Sequence, residues 1–419
     1  MNLHLKHNPK FTIHNSQLKI TGSKSETNRL LLLQALYPNI FLENISNSDD
    51  SEVMESIIHN SQLSTSNSQL FNVHHAGTAM RFLTAFFAIQ DGKEVILTGS
   101  SRMKERPIKI LVEALRQLGA EITYEENEGF PPIKIIGKKL NNHRVSLPAN
   151  VSSQYISALL LIAPKLENGL ELTLEGEITS IPYIKMTLAL LEEIGIETSF
   201  IENKIIVKPQ FKIQNSQLTI ESDWSSASYW FSIVALSEIG TKITLSSYKK
   251  NSLQGDAVLT EIYKDFGVET IFNNDHSITI SKERIHNLQL TTHNSQLNNC
   301  PDIAQTIAVT CFGLGMGCHL TGLHTLKIKE TDRLEALKNE LTKLGATVSI
   351  TDESLTLVKN SLPLEGLGKA IKTYQDHRMA MAFAPLALKV SIIIEEAEVV
   401  SKSYPTFWDD LKSVGIQIG

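Results

Sequence analysis

The chain has 419 residues, 42% of them hydrophobic and 20% charged, with 22 Gly and 13 Pro. This length exceeds one ordinary core and points to two or more domains, and the composition excludes a fibrous, disordered or membrane-embedded chain. Lys and Arg number 39 against 45 Asp and Glu, a net charge of −6 at pH 7, without the basic excess of a general nucleic-acid binder.

Met1 to Lys10 holds no apolar stretch of signal-peptide type. The longest apolar run, Met379 to Ile394, contains Pro385 and Lys389 and falls short of a bilayer span. A cytoplasmic protein without a membrane partner is expected.

The first strand signal is FTIHNSQLKI (Phe11 to Ile20), which leads through GSKSETNR (Gly22 to Arg29) into a helix, RLLLLQALY, apolar on almost every face. Asp49 to Ile58 follows as an amphipathic helix. HAGTAMR (His75 to Arg81) opens a second apolar helix, and RMKERPI and the amphipathic LVEALRQLGAEI come after it. Ser152 to Gln154 start a third, YISALLLIAP, followed by LALLEEIGIET and a hairpin in IETSFIENKIIVKP. FKIQNSQLTI (Phe211 to Ile220) then repeats the first strand 200 residues on. Three more polar starts precede apolar helices: SDWSSAS (Ser222 to Ser228), Pro301–Asp302 and QDHR (Gln375 to Arg378). Amphipathic partners lie in LTEIYKDFGVETI, LKNELTKLGATVSI and FWDDLKSVGIQI.

Five of the amphipathic helices stop at Gly119, Gly195, Gly267, Gly345 and Gly415, about 70 to 80 residues apart. Glycine there forms the left-handed helix cap that residues with a Cβ resist. A helix with no polar side must be buried. Six buried helices with six surface partners give six βαβ-type units. The two near-identical strands mark crossings between one continuous domain, residues 21–222, and one built from 1–20 and 223–419.

NSQL recurs at Asn15, Asn60, Asn67, Asn215 and Asn294, which weakens the 200-residue match as a sign of duplication. Three copies follow a histidine, but the tetrapeptide reads as an element tolerated in exposed turns, not as a metal ligand. Cys300, Cys311 and Cys318 match no zinc spacing and read as buried thiols. GSKS lacks the Gly directly before Lys that a P-loop needs, and GLGMG (Gly313 to Gly317) ends a helix where a dinucleotide fingerprint would start one. His74–His75 has no partner at ligand spacing and reads as structural.

The unusual polar clusters all precede buried helices, whose N-termini expose unpaired N–H groups and a partial positive charge. Six such ends facing a shared gap would form an anion-binding cleft, with Lys24, Arg29, Arg81, Arg102, Lys329, Arg333, Arg378 and Lys402 projecting into it. Plain N-capping is the alternative for Ser152 and Ser225. In KETDR, Lys329 and Arg333 share one side of a helix start with Glu330 beside them; surface ion pairing is the alternative to a proton-transfer role.

GSKSETNR, HAGTAMRFLTA, RMKERPI, SSQYISALL, SSASY, QGD, PDIAQT, KETDR, DHRMAM and KSYP stand in the order found in the EPSP synthase (3-phosphoshikimate 1-carboxyvinyltransferase) family, which the chain resembles from residue 22 to 408. The resemblance implies a two-domain, inside-out α/β barrel with three βαβαββ units per domain and the active site in the cleft between them. It implies transfer of the enolpyruvyl group of phosphoenolpyruvate to the 5-hydroxyl of shikimate 3-phosphate, without metal or organic cofactor; nothing in the sequence suggests an obligate oligomer, and a monomer is expected. Carried over by motif, Lys24, Ser25 and Arg29 would bind shikimate 3-phosphate, and Ser152, Ser153, Gln154 and Ser180 would cradle its phosphate. Gly77 would admit phosphoenolpyruvate to the backbone. Lys24, Gln154, Arg102, Arg333, Arg378 and Lys402 would also bind it, the arginines through paired donors. Asp302 would act as base with Lys329 in support, Glu330 would protonate the methylene carbon, and domain closure would complete the site.

Three residues depart from the family pattern: His75 stands for Asn, Phe82 for Pro and Thr325 for a substrate-binding Asn. The segment from Asn60 to Asn72 is also short and rich in NSQL. A sister transferase acting on UDP-N-acetylglucosamine is the nearest rival, but it uses a Cys in its first half and lacks KETDR, whereas this chain has no Cys before Cys300. A non-catalytic anion-binding relic is the other rival; it should have lost acids and cations at random, yet Lys24, Asp302, Glu330 and Arg378 all remain.

Overall fold

The apolar helices form where their sequences require burial. In a computed structural model, which describes residues 1–8, 13, 15–63, 68–150, 152–178, 181–284, 291–359 and 368–419, they are Lys24–Leu36, Gly77–Ala88, Ser153–Ile162, Trp224–Leu236, Ala304–Gly313 and His377–Phe383. The last is short because Pro385, in the 3-10 turn Ala384–Leu388, cannot continue the α-helical ladder.

Contacts divide the chain into two units, Gly22–Ile220 and Met1–Thr21 with Glu221–Gly419. In the first, helices Lys24–Leu36, Gly77–Ala88 and Ser153–Ile162 pack on one another. Around them run two four-stranded sheets and the parallel pair Ile40–Glu43 with Ser216–Thr219. In the second, Trp224–Leu236, Ala304–Gly313 and His377–Phe383 pack together in the same way, with three four-stranded sheets. Strand Glu94–Thr98 buries Val95 and Leu97 and turns its alternate residues outward, as a sheet with one covered face requires.

The two copied strands are exchanged. Ser16–Leu18 pairs in parallel with Lys242–Leu245, while Ser216–Thr219 pairs in parallel with Ile40–Glu43. The strand that leads into each first buried helix therefore belongs to the other unit's sheet.

NSQL does not occupy turns, contrary to the sequence reading. Among the described residues its copies lie in edge strands Ser16–Leu18, Ser68–Asn72, Ser216–Thr219 and Thr292–Gln296, and one ends helix Asp49–Leu63. Its pattern suits an edge: Leu18, Leu218 and Leu297 turn inward while Gln17 and Gln217 stay in water. Among the histidines before it, His293 is buried and bonded to Asp265 at 3.0 Å, and His14 lies outside the described residues.

The five helix-ending glycines have φ between 73° and 104°. IETSFIENKIIVKP forms the antiparallel hairpin of Thr198–Ile201 with Lys204–Val207. LTEIYKDF is not one helix but a four-residue helix, Leu259–Ile262, and a 3-10 turn, Tyr263–Phe266, preceded by another 3-10 turn, Gly255–Val258. Cys300, Cys311 and Cys318 are buried free thiols. Among the described residues no helix is long and apolar enough to cross a membrane.

Candidate active site

In residues 22–220 the polar motifs converge at three neighbouring helix starts. Ser23 caps helix Lys24–Leu36 by accepting from the Glu26 N–H, and Lys24 leaves its first turn to meet Asp50 at 3.1 Å. Asp50 also lies 3.8 Å from His75 Nε2. Ser152 caps helix Ser153–Ile162, and Gln154 Nε2 donates to Thr78 Oγ1 at 3.2 Å, tying that start to the one opened by Gly77.

Arg29 is more deeply placed than a simple anion ligand. Its guanidinium is 3% exposed and donates to Thr187 Oγ1 at 2.8 Å, Ser157 Oγ at 2.9 Å and the Ser25 carbonyl at 2.7 Å. It also stands 5.4 Å from the Phe82 ring centre, so Phe82 supplies a cation–π platform where the family carries proline. Burial lowers the Arg29 pKa to about 10, with Tyr183 and Glu26 opposing.

In the RMKERPI turn it is Arg106, and not Arg102, that lies against Gly77. Arg102 is half exposed and paired with Glu105 at 2.9 Å. Arg106, which the sequence reading passed over, places a guanidinium nitrogen 2.7 Å from where a Cβ on Gly77 would lie. Glycine at 77 is thus needed for that approach. Arg81 is buried and fastens the same turn, donating to the Gly77 and Pro107 carbonyls at 3.2 and 3.1 Å. Ser180 lies outside the described residues.

In the second unit the charged motifs meet around Arg333, which is 2% exposed. Its Nε donates to Asp376 Oδ2 at 2.6 Å, one terminal nitrogen to Asp302 Oδ1 at 2.7 Å and the other to Glu330 Oε2 at 2.8 Å. A guanidinium has five N–H donors, so this fork fixes three carboxylates with two donors beyond these bonds. Asp376 does double work, since its Oδ1 caps the helix start at the Arg378 N–H. The DHR motif carried that signal, an aspartate directly before an apolar helix, but the sequence reading gave Asp376 no role.

Asp302 gathers three cations. Besides Arg333, Lys329 Nζ lies 3.5 Å from its Oδ1 and Arg378 lies 3.5 Å from its Oδ2. Burial alone would raise its pKa, but Lys329, Arg378 and Arg333 together hold it well below the usual carboxylate range. The Arg333 guanidinium is shifted the other way: burial lowers its proton affinity, and Asp376, Glu330 and Asp302 more than restore it.

Lys402 Nζ donates to the Gln375 carbonyl at 2.7 Å. Tyr374 and Gln375 both have positive φ, 54° and 57°, a costly conformation for residues with a Cβ. Lys402 therefore braces a strained turn directly ahead of Asp376 and Arg378. The Thr325 hydroxyl is buried with no hydrogen-bond partner among the described residues.

Three carboxylates and three cations thus share one cluster, buried at Arg333 and Asp376 and partly open at the rest, able to hold an anion and keep acids at hand for proton transfer. A family model described as EPSP synthase (3-phosphoshikimate 1-carboxyvinyltransferase) matches residues 39–411. A 3-phosphoshikimate 1-carboxyvinyltransferase of Bacteroides fragilis is 44% identical over 410 residues, covering 96% of this chain and 97% of that one. One from Shewanella pealeana is 35% identical, covering 95% and 96%. An EPSP synthase structure from Acinetobacter baumannii, 20% identical, superposes with a TM-score of 0.80 over the full length of both chains, which shows the shared fold. The chain belongs to the EPSP synthase family.

Proposed function

We propose that the chain transfers the enolpyruvyl group of phosphoenolpyruvate to the 5-hydroxyl of shikimate 3-phosphate, releasing 5-enolpyruvylshikimate 3-phosphate and phosphate. The hydroxyl oxygen bonds to C2 of phosphoenolpyruvate while a proton reaches C3, giving a tetrahedral intermediate. Loss of a C3 proton and of phosphate then restores the double bond. The observation that carries this reading is the Arg333 fork, which holds a base, Asp302, and an acid, Glu330, on one guanidinium.

We assign Asp302 as base toward the hydroxyl and Glu330 as proton donor to C3, with Lys24 aiding the departing phosphate. A carboxylate gripped by three cations is a weak base. Anionic substrates would draw Lys329, Arg378 and Arg333 toward themselves and return basicity to Asp302, so proton removal waits for a filled site. Lys24, Ser25, Arg29, Ser152, Ser153, Gln154, Ser180 and Lys329 complete the shikimate 3-phosphate side. Gly77, Arg106, Gln154, Arg333, Arg378 and Lys402 complete the phosphoenolpyruvate side, Arg106 taking the place first given to Arg102. A cytoplasmic monomer is part of the same reading.

Phosphate release from phosphoenolpyruvate tests it, with shikimate 3-phosphate offered against UDP-N-acetylglucosamine. Release with the first alone is expected. Release only with the second, or with neither, would overturn the assignment.

A further inference from the structure

In each unit an aspartate near the start of the second helical segment reaches the first turn of the first buried helix. In residues 22–220 this is Asp50, paired with Lys24 at 3.1 Å. In the other unit it is Asp256, in the 3-10 turn Gly255–Val258, which accepts a hydrogen bond from the Ser225 hydroxyl. Ser225 is the second residue of helix Trp224–Leu236, as Ser25 is of helix Lys24–Leu36.

Ser225 also meets a cation. Arg378 donates to its Oγ at 3.2 Å. A hydroxyl has one proton, and here it goes to Asp256, which leaves its lone pairs to Arg378. Asp256 is 4% exposed, and its Oδ1 has no hydrogen-bond partner among the described residues. A buried carboxylate so lightly bonded is costly unless a nearby charge compensates it, and Arg378 is that charge.

We propose that Asp256, acting through Ser225, is a positioning residue that holds the Arg378 guanidinium toward phosphoenolpyruvate. This rests on the role given to Arg378 above. Arg378 also reaches Asp302, donating to its carbonyl at 3.2 Å and lying 3.5 Å from its Oδ2. Without the pull of Asp256 and Ser225 the guanidinium would turn toward Asp302, weakening the grip on phosphoenolpyruvate.

The charged and titratable groups facing Asp256 are Arg378, Asp302, Asp223 and Cys300. Burial raises the Asp256 pKa to about 6, with Arg378 opposing and Asp302 and Asp223 adding to the rise. Above that pH the carboxylate holds Arg378; below it the negative charge is lost and only a neutral acceptor remains for the Ser225 hydroxyl.

The test uses Asp256→Asn, which removes the charge at constant size, Ser225→Ala, which removes the bridge, and Ser225→Thr, which keeps a hydroxyl. Losing a charge-assisted hydrogen bond should raise KM for phosphoenolpyruvate roughly tenfold in the first two. KM for shikimate 3-phosphate and kcat should stay within about threefold, and Ser225→Thr should behave as the parent. A general loss of structure would move all three constants together.

A second readout needs no turnover: phenylglyoxal labelling of Arg378 in the ligand-free protein, by peptide mass spectrometry, relative to the exposed Arg144. The ratio should fall in the parent as pH falls through about 6, and be low and flat with pH in Asp256→Asn. A parent-like ratio and an unchanged KM for phosphoenolpyruvate would overturn the proposal. If the parent releases no phosphate with shikimate 3-phosphate, the reaction assignment fails, and the labelling ratio still decides whether Asp256 positions Arg378.

Discussion

Arg333 and Asp376 form an ion pair almost sealed from water: Nε to Oδ2 is 2.6 Å, with the side chains 2% and 0% exposed. The same guanidinium reaches Asp302 and Glu330, so the geometry of the two proposed proton-transfer groups depends on this pair.

Removing one partner of a buried pair leaves an uncompensated charge. Asp376→Ala should therefore cost about 3–5 kcal/mol of stability, read from urea unfolding. The helix cap at Arg378 is lost as well, worth about 1 kcal/mol more. A variant within about 1 kcal/mol of the parent would show that Arg333 does not depend on Asp376.

Glu330→Gln keeps the side chain's shape and a hydrogen bond to Arg333 but removes the proton donor. Its kcat should fall by about 10² to 10⁴, the usual share of general acid–base catalysis, while calorimetric affinity for shikimate 3-phosphate stays close to the parent's. Normal turnover would take Glu330 out of the proton-transfer role.

The two arginines of RMKERPI should separate cleanly. Arg106→Ala should raise KM for phosphoenolpyruvate by roughly ten- to a hundredfold, as expected for a charge-assisted contact. Arg102→Ala removes an exposed pair, a contact whose contribution is generally 0–1 kcal/mol, and should change neither constant beyond about threefold. Equal effects would contradict the placement of Arg106 over Gly77.

Asp256 also leaves a mark on stability. Its pKa in the fold, about 6, exceeds that of an unfolded aspartate, so the folded chain binds the extra proton between about pH 4 and 6. Stability from this group is present below that window and lost as pH rises through it, by an order-of-magnitude figure of about 3 kcal/mol. Asp302 has the opposite sign: its depressed pKa stabilises the fold above about pH 4 and the contribution is lost in stronger acid. Asp256→Asn should gain on the parent between pH 4 and 7 in urea titrations. A constant gap across that range would mean that Asp256 does not titrate there.

Much of this was legible in the sequence because burial and capping are local rules. RLLLLQALY and YISALLLIAP have no polar side, so their burial follows from composition, and Gly119 and Gly345 follow from the left-handed cap. The Lys329–Arg333 cluster was legible as a charged motif but not from helical spacing: the helix begins only at Arg333, capped by Asp332, and Lys329 and Glu330 lie in the turn before it. Which arginine of RMKERPI faces Gly77 was not, because two cations in one short turn differ by the path of the chain rather than by type. The bond between Asp256 and Ser225 was not legible for a related reason: it joins residues 31 apart, and each alone looks like an ordinary helix start. The NSQL segments were misplaced because Asn and Ser favour turns, whereas at Ser16–Leu18 and Ser216–Thr219 a buried Leu and a parallel neighbour hold the chain as an edge strand.

The central claim is addition of the shikimate 3-phosphate 5-hydroxyl to phosphoenolpyruvate with proton delivery to C3, followed by elimination. The most direct measurement runs the reaction in D₂O and follows the vinyl methylene of the product by proton NMR while phosphate appears. The account predicts deuterium in that methylene with the parent enzyme, and loss of both exchange and phosphate release in Glu330→Gln. Product formed at the normal rate with a fully protonated methylene would contradict it.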